Sequence, residues 1–329
     1  MKKIMYSIAI GSLISIVFIV GATAESTPTM IDLGTLGGYK SFATKINDIG
    51  QIVGYSATRE HWDNQAFLWE NGNMINIGVP AYSYAWGINN RTQVVGFSHY
   101  PETHVFLWEN GSVIEIPTPE ADSLSVGDIN SQGQIVISTD CLDPCNRAYL
   151  WEDGILTDLG TLGGDYARAN GINTKGQVVG ESRTSSGETH AFLWEKGTMI
   201  DLGALGGTYS TAYGINDHEQ VVGGGYTASG EWHAFLWEKG TMIDLGTLGG
   251  KYSTARAINN RGQIVGESQL EVGGYRAYLW EDGIMTNLGV LGGTYYYRSG
   301  AYDINERGQI VGYSTTDSGR NRAFLWERK

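Results

Sequence analysis

The sequence predicts an all-β fold: a seven-bladed β-propeller with four-stranded blades, its last blade closed by the N-terminal strand at 30–34. Three observations predict it. The Trp of a Leu-Trp-Glu word recurs at Trp69, Trp108, Trp151, Trp194, Trp237, Trp280 and Trp326, in steps of 39, 43, 43, 43, 43 and 46 residues. An Ile-Asn pair ends in Asn47, Asn89, Asn130, Asn173, Asn216, Asn259 and Asn305, in phase with Gln51, Gln93, Gln134, Gln177, Gln220, Gln263 and Gln309. A period near 43 residues belongs to propeller blades. Finally, the first repeat word, 30–34, is a fourth strand with no three before it, and the chain stops after the third strand at 323–327. The orphan at one end is the piece missing at the other.

Lys2 and Lys3 precede an apolar run from Ile4 to Val20, and Ala22-Thr23-Ala24 is a small-x-small site. This pattern predicts a secretory signal peptide over 1–24, with an uncleaved anchor as the rival. Residues 25–329 then form one seven-repeat domain. No later run approaches the roughly 18–20 apolar residues that cross a bilayer, so no membrane span is expected after signal removal. The expected location is secreted or cell-surface, with the periplasm as an alternative.

Within one repeat, 169–173 reads as a first strand and 177–182 as a second. The third strand is 190–195 and the fourth 198–202, all joined by short turns of ordinary length. Asn173 can bond its own backbone, and Gly176 can take positive φ. Phe192 and Trp194 lie on one face of the third strand, Ala191 and Leu193 on the other. With two apolar faces, the strand must be covered on both sides. Stacked blades do this, and an open array would need end caps. The Glu after each Trp reads as a solvated ring at a tight turn. Cys141 and Cys145, in Cys-Leu-Asp-Pro-Cys, are expected to form a local disulfide in an exported protein.

The formal net charge is −13, and loss of 1–24 takes Lys2 and Lys3 and no acid, leaving −15. Such a balance disfavours nucleic acid, which needs basic patches.

The words His190-Ala191-Phe192 and His233-Ala234-Phe235, with Asp-Leu-Gly-x-Leu-Gly-Gly, Gly-Ile-Asn and Gly-Gln-Val-Val-Gly, resemble the HAF-repeat family of extracellular proteins. The likeness covers 30–327. Residues 76–86 and 114–126 lack Leu-Gly-Gly, and Gln65, Arg147, Arg276 and Arg322 replace the His. The resemblance implies an exported repeat protein and no catalytic residue.

Function is expected where an exposed recurring position varies. One end of the propeller collects tight turns and the other the longer loops, where binding usually lives. A tyrosine ring follows Leu-Gly-Gly at this loop end: Tyr39, Tyr166, Tyr209, Tyr252 and Tyr295, with Tyr296 beside the last. His190 and His233 start third strands there. The channel mouth is expected to be lined by the residue two before the recurring Ile: Thr44, Trp86, Gly127, Asn170, Tyr213, Arg256 and Tyr302. Aromatics beside His and Arg suit a glycan or an extracellular protein.

No G-x-S-x-G, phosphate loop, H-E-x-x-H or calcium-loop motif occurs, and no metal, cofactor or catalytic residue is assigned. A monomeric binding or scaffold propeller is expected. The alternatives are a carbohydrate-active enzyme using Asp128 and Asp303, the off-pattern acids near the channel, and a purely structural surface repeat.

Overall fold

The structure, a computed structural model, describes residues 29–59, 63–80, 82–99, 102–140, 146–292 and 298–328. The expected signal segment at 1–24, Cys141, Cys145, Tyr295 and Tyr296 lie outside the described residues. These residues form strands and turns without a helix, so none is long and apolar enough to cross a membrane.

Every repeat supplies antiparallel neighbours in chain order. In the repeat around Trp194 they are Gly163–Ile172, Val178–Thr184, Thr189–Glu195 and Thr198–Asp201. The first strand starts earlier than the alternation suggests because the Gly-Gly segment joins it. A Cβ on Gly164 would lie 2.7 Å from the Arg183 carbonyl oxygen, so only glycine lets the two backbones close. The third-to-fourth turn has positive φ at two successive residues, 48° at Lys196 and 85° at Gly197. Such a turn matches the right-handed twist of its strands. Thr29–Asp32 pairs antiparallel with the strand Asn321–Glu327 and so completes the final group of four.

The four-stranded groups pack face to face as the blades of a β-propeller. One apolar cluster joins Leu150 and Leu159 of one repeat to Ala169, Val178 and Phe192 of the next. Another joins Val311 and Leu325 to Ala43, Ile52 and Phe67. Ala191, Phe192, Leu193 and Trp194 are all buried, as two covered faces require. A ring such as Phe192 hides roughly 150–250 Å² of surface, on the order of 4–6 kcal/mol gross at about 25 cal/mol per Å².

The recurring polar residues bind blade to blade. Asn173 Nδ2 donates to Gln177 Oε1 at 2.7 Å and to the Asn216 carbonyl of the next repeat at 3.1 Å. The same inter-repeat bond recurs from Asn47 to Asn89, Asn89 to Asn130, Asn130 to Asn173, Asn216 to Asn259, Asn259 to Asn305, and Asn305 to Asn47. A buried Ser in the first strand accepts the Ala N–H of the preceding third strand, as Ser210 does from Ala191 at 2.8 Å and Ser41 from Ala323 at 2.9 Å.

The Glu after each Trp needs a correction. Glu281 Oε1 accepts from Gln263 Nε2 at 2.6 Å, and Glu70, Glu152, Glu238 and Glu327 accept from their own Gln. These carboxylates therefore tie second strand to third rather than only meeting water.

Candidate functional site

A backbone irregularity builds the site. In the first strand Ala169 faces Gly180 and Gly171 faces Val179, which leaves Asn170 as an extra, unpaired residue. The same bulge isolates Thr44, Trp86, Tyr213, Arg256 and Tyr302. In the third repeat the gap runs from Val126 to Ile129 and contains Gly127 and Asp128. A bulge re-aims its side chain. Here it turns one variable residue per repeat toward the axis, and all seven positions expected at the mouth line one cavity of about 690 Å³.

The bulge also explains a recurring glycine. It brings the first-strand carbonyl onto the second strand, so a Cβ on Gly180 would collide with the Arg168 oxygen and lie 2.9 Å from the Phe192 ring. In the third repeat Ile137 takes this place, and Tyr149, at the Phe192 position, is only half-buried.

One wall of the site is aromatic. Phe42 stacks on Tyr55 at 5.0 Å, Tyr55 meets Tyr84 at 4.9 Å edge-on, and Trp86 lies on Phe97 at 6.4 Å. Tyr302 and Tyr313, 5.6 Å apart, continue it. Trp86, Phe97, His99 and Tyr302 reach the cavity surface. Burial, opposed by Arg256, pushes the Tyr302 phenol up to about 12.

Other parts of the lining are polar. Glu181 accepts from Tyr166 at 2.7 Å and from Tyr209 at 2.6 Å. Burial and this carboxylate push both phenols up, so they remain protonated donors. The Arg256 guanidinium lies 4.6 Å from the centre of the Tyr213 ring and 3.4 Å from Glu267. Arg168 is exposed at the cavity and forms no ion pair among the described residues.

Lys45 lies between this cavity and a second one, about 260 Å³, at the tight-turn end. Its ammonium is 2.7 Å from Asp128 and 3.5 Å from Asp303. Burial alone would lower the Lys45 pKa, but the two carboxylates override it and leave it raised. Asp303 also accepts from the Ile46 amide at 2.9 Å. Its burial outweighs that bond and Lys45 together, and its pKa is pushed up to about 6.

Of the rim residues singled out in the sequence, Trp86, Tyr209, Tyr213 and Arg256 line the large cavity, and Tyr166 reaches it through Glu181. Tyr252 turns aside, accepting from Thr254 at 2.9 Å and meeting Tyr275 edge-on. His190 and His233 are not in its lining. Each is held by the aspartate of its own fourth strand, Asp201 at 2.9 Å and Asp244 at 2.8 Å. Glu181, Arg168 and Lys45 were missed by sequence reasoning. The position of Glu181, four after the recurring Gln, holds Tyr55, Phe97, Ser138, Gly224, Glu267 and Tyr313 elsewhere. The variability that marks the first strand, applied to the second, would have found it.

No protein-family model matches the sequence, and no curated protein matches it. Solved structures do. The β-propeller domain of the Trilobed protease from Pyrococcus furiosus, described as having an open velcro topology, aligns with a TM-score of 0.62 at 12% identity, over 89% of this chain and 97% of that one. Pyrococcus horikoshii acylaminoacyl peptidase aligns with a TM-score of 0.58 at 13% identity, over 88% of this chain and 53% of that one, so the chain spans about half the peptidase. The RRP9 WD40 repeats align with a TM-score of 0.57 at 12% identity, over 91% and 97%. At these identities the likeness is one of fold, the β-propeller.

Proposed function

We propose that this is an exported, non-catalytic binding propeller of the HAF-repeat family that holds a glycan in its loop-end cavity. The observation that carries the reading is one cavity of about 690 Å³ lined both by aromatic rings, Trp86, Phe97 and Tyr302, and by polar groups, Glu181, Tyr209 and Arg256. Sugars present apolar C–H faces and a rim of hydroxyls, and a pocket with a few placed polar groups reads both. Export rests on the N-terminal pattern of Lys2, Lys3, the apolar run and Ala22-Thr23-Ala24. The scaffold in this proposal is one domain over 25–329, a monomer of seven blades closed by residues 30–34. Support for closure comes from the pairing of Thr29–Asp32 with Asn321–Glu327 and from the Asn305–Asn47 bond.

A carbohydrate-active enzyme is the competing reading, and the raised Asp303 pKa favours it. Against it, Asp128 and Asp303 are paired to Lys45 and line the small chamber at the tight-turn end, not the aromatic cavity. Turnover of any glycan that disappears in Asp128→Asn and Asp303→Asn would replace binding by catalysis.

The test of the main reading is a glycan array probed with the purified chain, with and without calcium. Discrete binding that Trp86→Ala weakens at least tenfold is expected. A blank array, or binding indifferent to Trp86→Ala, would remove the cavity assignment and turn attention to a protein partner.

A further inference from the structure

We infer that the glycan is acidic: the cavity selects a sugar bearing a carboxylate, which Arg168 and Arg256 hold while the sugar ring lies against the aromatic wall. The inference rests on the carbohydrate reading above and narrows it. Its first support is the gathering of cations at the cavity surface. The chain carries a net charge of −13, yet the cavity is lined by three cations, Lys45, Arg168 and Arg256, and one carboxylate, Glu181.

The partners of these four charges decide which remain available. Glu181 is the acceptor of two phenol O–H groups, at 2.7 and 2.6 Å. Such charge-assisted bonds are strong and fix both of its oxygens in place. The Lys45 ammonium is taken by Asp128 and Asp303, which belong to the chamber below. Arg256 has a single, long ion pair, 3.4 Å to Glu267, and its plane is set by the Tyr213 ring. Arg168 has no ion pair among the described residues and reaches the same cavity. What remains unspent is donor capacity on two guanidiniums, including an Arg256 Nε with no acceptor, and their planar forks match a carboxylate. Both guanidiniums and the Tyr213 ring beneath Arg256 line this one cavity. Neutral sugars would leave these groups to water. A hexuronate supplies the missing acceptor together with a face for stacking.

The test sets hexuronate oligosaccharides of several linkages beside their carboxyl-reduced, neutral counterparts and measures Kd for each by titration calorimetry. The acid form is expected to bind at least tenfold more tightly, with a preference that shrinks as salt is raised. Arg168→Gln, at an exposed position whose loss does not disturb the core, is expected to reduce the acid-to-neutral preference at least fivefold, and its thermal midpoint reports that it is folded. Equal affinity for acid and neutral forms, or a preference untouched by Arg168→Gln, would overturn the inference while leaving a carbohydrate-binding propeller. Binding to none of the sugars, with binding to a glutamate-rich peptide instead, would overturn both.

Discussion

Asp303 holds one oxygen on the Ile46 amide and the other 3.5 Å from the Lys45 ammonium, and burial still pushes its pKa from 3.8 to about 6. The folded protein therefore keeps a proton there at pH values where the unfolded chain has released it. Stability from this group is full below about pH 4 and is lost as pH rises through about 6. Thermal midpoints of wild type and Asp303→Asn, compared from pH 3.5 to 7, are expected to diverge across that window, with the wild type losing ground as pH rises. Parallel curves would place the titration elsewhere. Asn305 offers a second residue-scale test. Its amide serves Gln309 twice and the Asn47 carbonyl once. Asn305→Ala strands those buried groups and should cost on the order of 2–4 kcal/mol in chemical denaturation. The Asn and Gln words were legible as turn residues. Their reach into the next repeat was not, because a bond 43 residues away in sequence leaves no local trace.

The bulged strand pairs a Gly with a carbonyl that would strike any side chain placed opposite. Gly180→Ala is expected to destabilise the fold by about 3 kcal/mol or more, since the clash is with backbone that cannot swing away. At the equivalent site of the third repeat the dependence reverses. Ile137 is fully buried there, so Ile137→Gly should cost roughly 2–5 kcal/mol by opening a cavity. Equal tolerance at the two sites, read from denaturant midpoints, would dissociate the glycine from the bulge. Alternation and burial made the third strand legible, down to both apolar faces of Phe192 and Trp194. The bulge was hidden, because its only mark is a glycine on the opposite strand, and a glycine-rich chain assigns such residues to turns. The candidate mouth residues were nonetheless reachable, because their variation stands out against words that repeat.

At the scale of the molecule, the strand Thr29–Asp32 completes a sheet whose other strands come from the far end of the chain, and the adjoining Leu33 joins a core drawn from both ends. Deleting residues 29–34 removes a strand's worth of hydrogen bonds and a buried Leu. Several kcal/mol lost in a chain of this size should lower the thermal midpoint by on the order of 10 °C. An unchanged melting curve would mean that the two ends stand independently. The period made the β-propeller readable in advance. The cavity's charge was not readable, because it is assembled across the axis. Tyr209 completes Glu181 from the next repeat, and Lys45 meets Asp128 and Asp303 from repeats far apart in sequence.

Residues 190–202 and 233–245 are identical, yet the bulges of their two repeats present Asn170 and Tyr213. Because an unpaired residue takes no part in the ladder, its identity is free to drift while the surrounding words are copied unchanged. Duplication of a repeat thus carries the framework intact, while divergence falls on a few cavity positions per copy, such as Arg168 against Thr211 and Glu181 against Gly224. New ligand preferences could arise, or be engineered, by recombining these positions as a small library without renegotiating the fold.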